Sequence, residues 1–141
     1  MNFIKHENFP DAIANLIRHF EFWSVGEPTL LFPQELYGEG VLPHEWFQCV
    51  GKVAIQHRPA IVTLDDGVKS NALGLKAMKD CGCIFVVFSK GWADNTPFHE
   101  FAWRALRYWP EVVARSVAAY RATKQCKIEV SKTGKLSVLN F

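Results

Sequence analysis

Long apolar runs are missing from this chain. The longest, Cys83-Ile84-Phe85-Val86-Val87-Phe88, has six residues, against the roughly 20 that a bilayer-spanning helix needs. A secretory leader is not visible either, because Met1 to Phe20 carries Lys5, Glu7, Asp11 and Arg18 where an apolar region would be required. These two deficits predict a soluble, cytoplasmic protein with no membrane partner. Charge of one sign is also scarce: 16 Lys+Arg against 14 Asp+Glu leave a formal +2. Composition alone therefore does not announce a nucleic-acid binder, although a local basic patch would supply the same field. Cysteine is sparse too. Cys49, Cys81, Cys83 and Cys126 are few for a disulfide framework. Cys81 and Cys83 form C-x-C rather than C-x2-C, with no second Cys/His pair at ligand spacing, so all four read as reduced thiols. Internal repeats and low-complexity linkers do not occur.

What is present is globular: 49% of the 141 residues are hydrophobic and 21% charged, enough for one domain with a core of its own. Phe3-Ile4 reads as a short strand. Pro10 then opens a helix carrying Ala12, Ile13, Leu16, Ile17 and Phe20, with Asn8 as the expected N-cap. From Glu21 to Pro43 the pattern is poor; Phe22–Val25 and Thr29–Phe32 read as strands, broken by Gly26, Pro28 and Pro33. Pro43 starts a helix whose face is expected to hold Trp46, Phe47, Val50, Val53, Ala54 and His57. Ala60–Leu64 and Cys83–Phe88 are continuous apolar runs, the mark of buried parallel strands, and Asn71–Lys79 lies between them as a short helix. Thr96 is expected to cap, and Pro97 to open, an aromatic helix that Pro110 divides. Lys127–Val130 and Lys135–Leu139, joined across Ser131–Gly134, predict a terminal hairpin. The reading is α/β: a single domain over 1–141, with a mainly parallel sheet flanked by helices in about 1–122 and a β-hairpin in 126–141.

In open α/β sheets the working crevice lies beyond the carboxyl ends of the strands. That edge would collect Lys5, His6, Glu7 and Asn8 after the first strand, Asp65, Asp66, Lys69 and Asn71 after the second buried strand, and Ser89 and Lys90 after the third. Glu45, in a first helical turn, can face the same edge. Clustered carboxylates repel one another and favour a hard divalent cation with oxygen ligands, Mg2+ or Mn2+ rather than zinc. Each acid also has an ordinary structural role: Asp65-Asp66-Gly67 suits a turn, and Glu45 suits a helix dipole. Lysines at loop positions are commonly just solvated, Asn71 suits a helix cap and Ser89 a local backbone bond. The aromatic series Phe98, Phe101, Trp103, Tyr108 and Trp109 has the spacing of a packed helix face, with Trp103 off the stripe as a candidate exposed contact.

Taken in order, Glu7-Asn8-Phe9-Pro10, Pro43-His44-Glu45-Trp46, Thr63-Leu64-Asp65 with Val68, Lys69 and Asn71, Gly82-Cys83-Ile84-Phe85-Val86-Val87, and Ile128-Glu129-Val130…Gly134…Leu136 resemble the PIN-like domains of bacterial toxin–antitoxin systems. The resemblance covers nearly the whole chain and is weakest from Glu21 to Gly40. It implies a Mg2+- or Mn2+-dependent endoribonuclease, the toxin of a type II system, that hydrolyses RNA phosphodiesters and is held inactive by an antitoxin protein; self-association is left open. By position it makes Asp65 the metal ligand at the central strand and Glu45 the helix-borne acid. Lys69, Asn71, Ser89 and Lys90 would meet the substrate. The chain departs from the family at the end of the first strand, where the usual Asp falls on His6 with Glu7 adjacent. Either His6 ligates the metal, or Glu7 substitutes as metal ligand and catalytic acid, or the site is incomplete.

Two other readings stand beside the nuclease. One is a PIN-like interaction module without catalysis. The other is a receiver-like signalling domain with Asp65 as phosphoacceptor and Ser89-Lys90 as its switch residues.

Overall fold

Six strands make one sheet: β1 (Phe3–Lys5), β2 (Leu30–Leu31), β3 (Ala60–Leu64), β4 (Phe85–Phe88), β5 (Cys126–Val130) and β6 (Leu136–Asn140), in the order β2-β1-β3-β4-β5-β6. The computed structural model describes residues 1–54, 57–64, 76, 79–94, 96–122 and 125–140. The first five strands run parallel, and β6 returns antiparallel to β5. The helices described are α1 (Asp11–Val25), α2 (Pro33–Tyr37), α3 (Pro43–Gly51), α4 (Lys90–Ala93) and α5 (Phe98–Arg121). The α/β class and the terminal hairpin expected from the sequence are what the chain forms.

Both faces of the sheet are covered at β1, β3 and β4, which is why the central strands read as unbroken apolar runs. Phe3, Ala60, Val62, Leu64, Val86 and Phe88 pack on one side against Ile13 and Ile17 of α1 and Phe101, Ala105 and Trp109 of α5. Ile4, Ile61, Phe85 and Val87 turn to the other side, against Trp46, Phe47 and Val50 of α3. The alternation is the period-two geometry of a strand. From β1 the chain crosses to β2 at the sheet edge, then returns past β1 to β3 and continues outward. The carboxyl ends of β1 and β3 therefore flank the point where the winding reverses, the crevice in which open α/β sheets work. Among the described residues no helix is long and apolar enough to cross a membrane.

Several local expectations give way. Phe22–Val25 is not a strand; α1 runs on to Val25. Glu21 occupies a buried position of its inner face, where its carboxylate accepts hydrogen bonds from the Thr29 hydroxyl, the Thr29 N–H at 3.0 Å and the Leu30 N–H at 3.2 Å. Asn8 does not cap α1, whose N-cap is Pro10 with no side-chain bond. Thr96 does not cap α5 either: its hydroxyl donates to the Gly91 carbonyl at 3.0 Å, and Pro97 stands at the N-cap. Helix α3 stops at Gly51, leaving Val53, Ala54 and His57 exposed. The Arg58 guanidinium caps that end, donating to the carbonyls of Gly51 at 2.9 Å and Val53 at 2.8 Å. Pro110 does not divide α5, which is continuous from Phe98 to Arg121. Residues buried on both sides of it (Ala105, Trp109, Val112, Ser116) outweigh the roughly 3 kcal/mol that an interior proline costs. Most of the helix expected over Asn71–Lys79 lies outside the described residues.

The hairpin is not an appendage, since β5 pairs along its length with β4. Its turn is fixed at Gly134, where φ is +89° and an added Cβ would overlap the Tyr108 ring. Gly134→Ala is expected to lower stability by about 1–3 kcal/mol, from left-handed backbone strain plus displacement of Tyr108. Thermal unfolding followed by far-UV circular dichroism would show it as a melting temperature lower by roughly 5 °C.

Candidate functional site

Immediately after β1, His6-Glu7-Asn8 turns the chain toward α1, and Asn8 ties this turn to the end of β3. Its amide donates to the Leu64 carbonyl at 2.6 Å, while its oxygen accepts from the Thr63 hydroxyl at 2.8 Å and the Leu64 N–H at 3.3 Å. The Leu64 backbone group pair fixes which way the amide faces. The same oxygen lies 2.8 Å from His6 Nδ1. The Asn8 N–H also approaches that nitrogen, at 3.4 Å, so which partner His6 Nδ1 bonds depends on its tautomer.

Helix α3 brackets the site from the opposite side. The His6 ring stacks on Phe47, with centroids 5.8 Å apart and planes 8° apart, and tilts against Trp46 at 6.4 Å. Trp46 in turn stacks on Tyr37, whose phenol is pushed above its ordinary pKa by burial, with Cys49 and Cys83 adding to the effect. A cleft of about 250 Å3 opens here, lined by Lys5, Glu7, Asp11, Phe32, Gln34 and Trp46 among others. Part of that wall comes from the Glu21–Gly40 stretch, whose role was not legible in the sequence.

Glu7 is exposed on the cleft wall. Glu45 is exposed in the first turn of α3, and its carboxylate accepts from the Leu42 N–H at 3.1 Å, closing the helix start. One such bond leaves most of the carboxylate's lone pairs open. Lys5 is only 4% exposed. It pairs with Asp11 and lies 5.4 Å from the Phe32 ring centroid, so its charge is already met within the protein. That placement corrects the expectation of a solvated loop lysine at the sheet edge. Ser89 follows β4 at the same sheet edge, with its N–H on the Val130 carbonyl at 3.0 Å. Lys90 opens α4. Asp65, Asp66, Lys69 and Asn71 lie outside the described residues.

The fold therefore sets Glu7 and Trp46 on one cleft, with His6 packed against Trp46 and Phe47 and the turn that carries it tied through Asn8 to the end of β3. Among the described residues no three His, Cys, Asp or Glu side chains are grouped to hold a metal ion. What sequence reasoning missed is the clamping role of Asn8, expected as a helix cap, and the signal was weak: a polar amide one turn past a strand, with partners 55 and 56 residues away. No protein-family model, curated protein or solved structure matches this chain.

Proposed function

We propose that this chain is a PIN-like ribonuclease of the toxin type, dependent on Mg2+ or Mn2+, working in the crevice between the ends of β1 and β3. The observation that carries the reading is the Asn8 clamp. It joins the turn bearing His6 and Glu7 to Leu64 at the reversal point of the sheet. In this reading Asp65, Glu45 and Glu7 supply anionic oxygens, with the His6 imidazole as a nitrogen ligand. A bound divalent ion would activate water and offset charge on the phosphate. Trp46 and Phe47 pack against the His6 ring, and Glu7, exposed on the cleft wall, is the acid proposed to move a proton. Lys69, Asn71, Ser89 and Lys90 are the residues proposed to meet RNA, and an antitoxin is the proposed protein partner.

The test is cleavage of a structured RNA by the purified full chain, with Mn2+ and then with a chelator. Metal-dependent cleavage that ends on chelation is the expected result. Saturable Mn2+ binding without cleavage, or neither, would favour the non-catalytic interaction module.

A second reading has one observation in its favour. The order β2-β1-β3-β4-β5 is that of doubly wound receiver-like sheets, with Ser89 at the end of β4. Against it, the chain continues from β5 into β6 rather than into a covering helix. Incubation with a small-molecule phosphodonor separates the two, since only a receiver takes a label on Asp65.

A further inference from the structure

The two edges of the sheet are built differently. At one, β2 is two residues long and Pro33 follows within two positions, which blunts that edge. At the other, β6 runs five residues, Leu136–Asn140, with no proline, glycine or charge. Among the described residues β6 pairs with β5 alone. The hairpin fixes where its backbone groups point. The Ser131 N–H donates to the Lys135 carbonyl at 2.9 Å, and in an antiparallel ladder such hydrogen-bonded pairs alternate with unbonded ones. Glu129–Ser137 and Lys127–Leu139 are then bonded pairs, whereas Val130–Leu136, Ile128–Val138 and Cys126–Asn140 are not. Val130 agrees: its carbonyl turns away from β6 and accepts the Ser89 N–H at 3.0 Å beside β4. The N–H and C=O groups of Leu136, Val138 and Asn140 therefore point out from the sheet, and no described residue bonds to them. Apolar surface accompanies them on both faces. Val138, opposite the fully buried Ile128, is 54% exposed, and Leu139, on the other face, is 42% exposed.

We propose that β6 pairs antiparallel with β6 of a second copy of this chain, joining the two sheets into one across a two-fold axis at Val138. In that register Val138 faces its own counterpart, and Leu136 faces Asn140 of the second copy. Every outward backbone group is then paired, each facing pair exchanging both of its N–H···O bonds. The two Val138 side chains cover each other as a β-branched pair, and on the other face each Leu139 lies beside Ser137 of the second copy. This edge requires of its occupant a strand with backbone groups free at alternate residues, an apolar residue at the centre and no charge to oppose. β6 meets each requirement itself, in register, and a second copy is present at the protein's own concentration. The formal charge of +2 adds little repulsion between copies. The contact closes at two copies, because each spends its one long free edge. It is one strand wide, smaller than the interface of a permanent dimer, so association is reversible and concentration-dependent. β4 and β5 separate this edge from the crevice, so the pairing stands independently of the nuclease reading.

Sedimentation velocity of the full chain over a concentration series, with reductant present, tests the pairing. The expected result is a reversible shift from monomer to dimer that goes no further. Val138→Lys removes the central apolar pair and sets like charges across the axis, at a site more than half exposed. It should raise the dissociation constant by about tenfold or more, while the melting temperature stays near the parent's. Cross-linking reads the register. In a Cys49→Ser background, which removes the exposed native thiol, Val138→Cys should link to itself under mild oxidation, its Cα about 5.5 Å from its counterpart. Ser137→Cys and Leu139→Cys should each stay unlinked alone and link when mixed, because they oppose one another across the axis. A parent that is monomeric at every concentration would overturn the proposal. So would assembly beyond the dimer, a dimer that Val138→Lys leaves as tight as before, or self-linking at position 137 in place of 138.

Discussion

Asp65→Asn is expected to lower Mn2+-dependent RNA cleavage by about 100- to 1000-fold, the several kcal/mol that a hard metal ion contributes to phosphoryl transition states. Asparagine matches aspartate in size and removes only the negative oxygen, so melting temperature serves as the control for folding. Glu45→Gln sharpens the result, because Glu45 has a structural duty on α3. Its carboxylate accepts the Leu42 N–H, and a glutamine carbonyl can still accept that bond. Cleavage should therefore fall strongly in Glu45→Gln while thermal stability changes little. Glu45→Ala should lose both, the cap alone being worth about 1 kcal/mol. Cleavage rates of pure Asp65→Asn equal to those of the parent would refute the metal-nuclease reading, whatever the behaviour of Glu45. Loss in Asp65→Asn with no loss in Glu45→Gln would keep the crevice and remove α3 from its chemistry.

The parts of this fold that were legible in the sequence are those decided by burial on two faces. Ala60–Leu64 and Phe85–Phe88 had to read as continuous apolar runs because both sides of each strand are covered. The end of α1 was hidden for a specific reason: Glu21 breaks the apolar spacing, yet it is buried because three donors from Thr29 and Leu30 satisfy it. A charged residue at a core position looks like a surface position until its partners are known. Pro110 misled in the opposite sense, since its local cost was plain and the nonlocal packing that overrides it was not. The hairpin was visible from its turn and alternation, but not that β5 extends the parallel sheet, because strand register depends on residues far away in sequence. For the site, His6 and Glu7 at the end of β1 were read correctly as edge residues. Charge neutralisation of Lys5 by Asp11 and the anchoring of His6 on Phe47 required the fold.

Asn8→Ala is the change expected to cost most stability per atom removed. The side chain satisfies the Leu64 carbonyl and N–H and the Thr63 hydroxyl, and its oxygen also lies against His6 Nδ1. Thr63 is 6% exposed and Leu64 8%, so water replaces the lost partners poorly. Leaving such groups unpaired costs about 1–3 kcal/mol each in the buried limit. Partial exposure of Asn8 brings the sum to about 2–4 kcal/mol, a melting temperature lower by on the order of 10 °C. Asn8→Asp tests the direction of the bonds. It keeps the acceptor but sets a second carboxylate oxygen where the amide donated to the Leu64 carbonyl, and two acceptors at that distance repel. At neutral pH Asn8→Asp should therefore be less stable than the parent, although it keeps the acceptor that Thr63 and the Leu64 N–H use. Chemical denaturation of both proteins at that pH reads the difference directly. Equal stability of parent and variant would mean that Asn8 does not donate to Leu64, and the clamp that joins β1 to β3 would have to be abandoned.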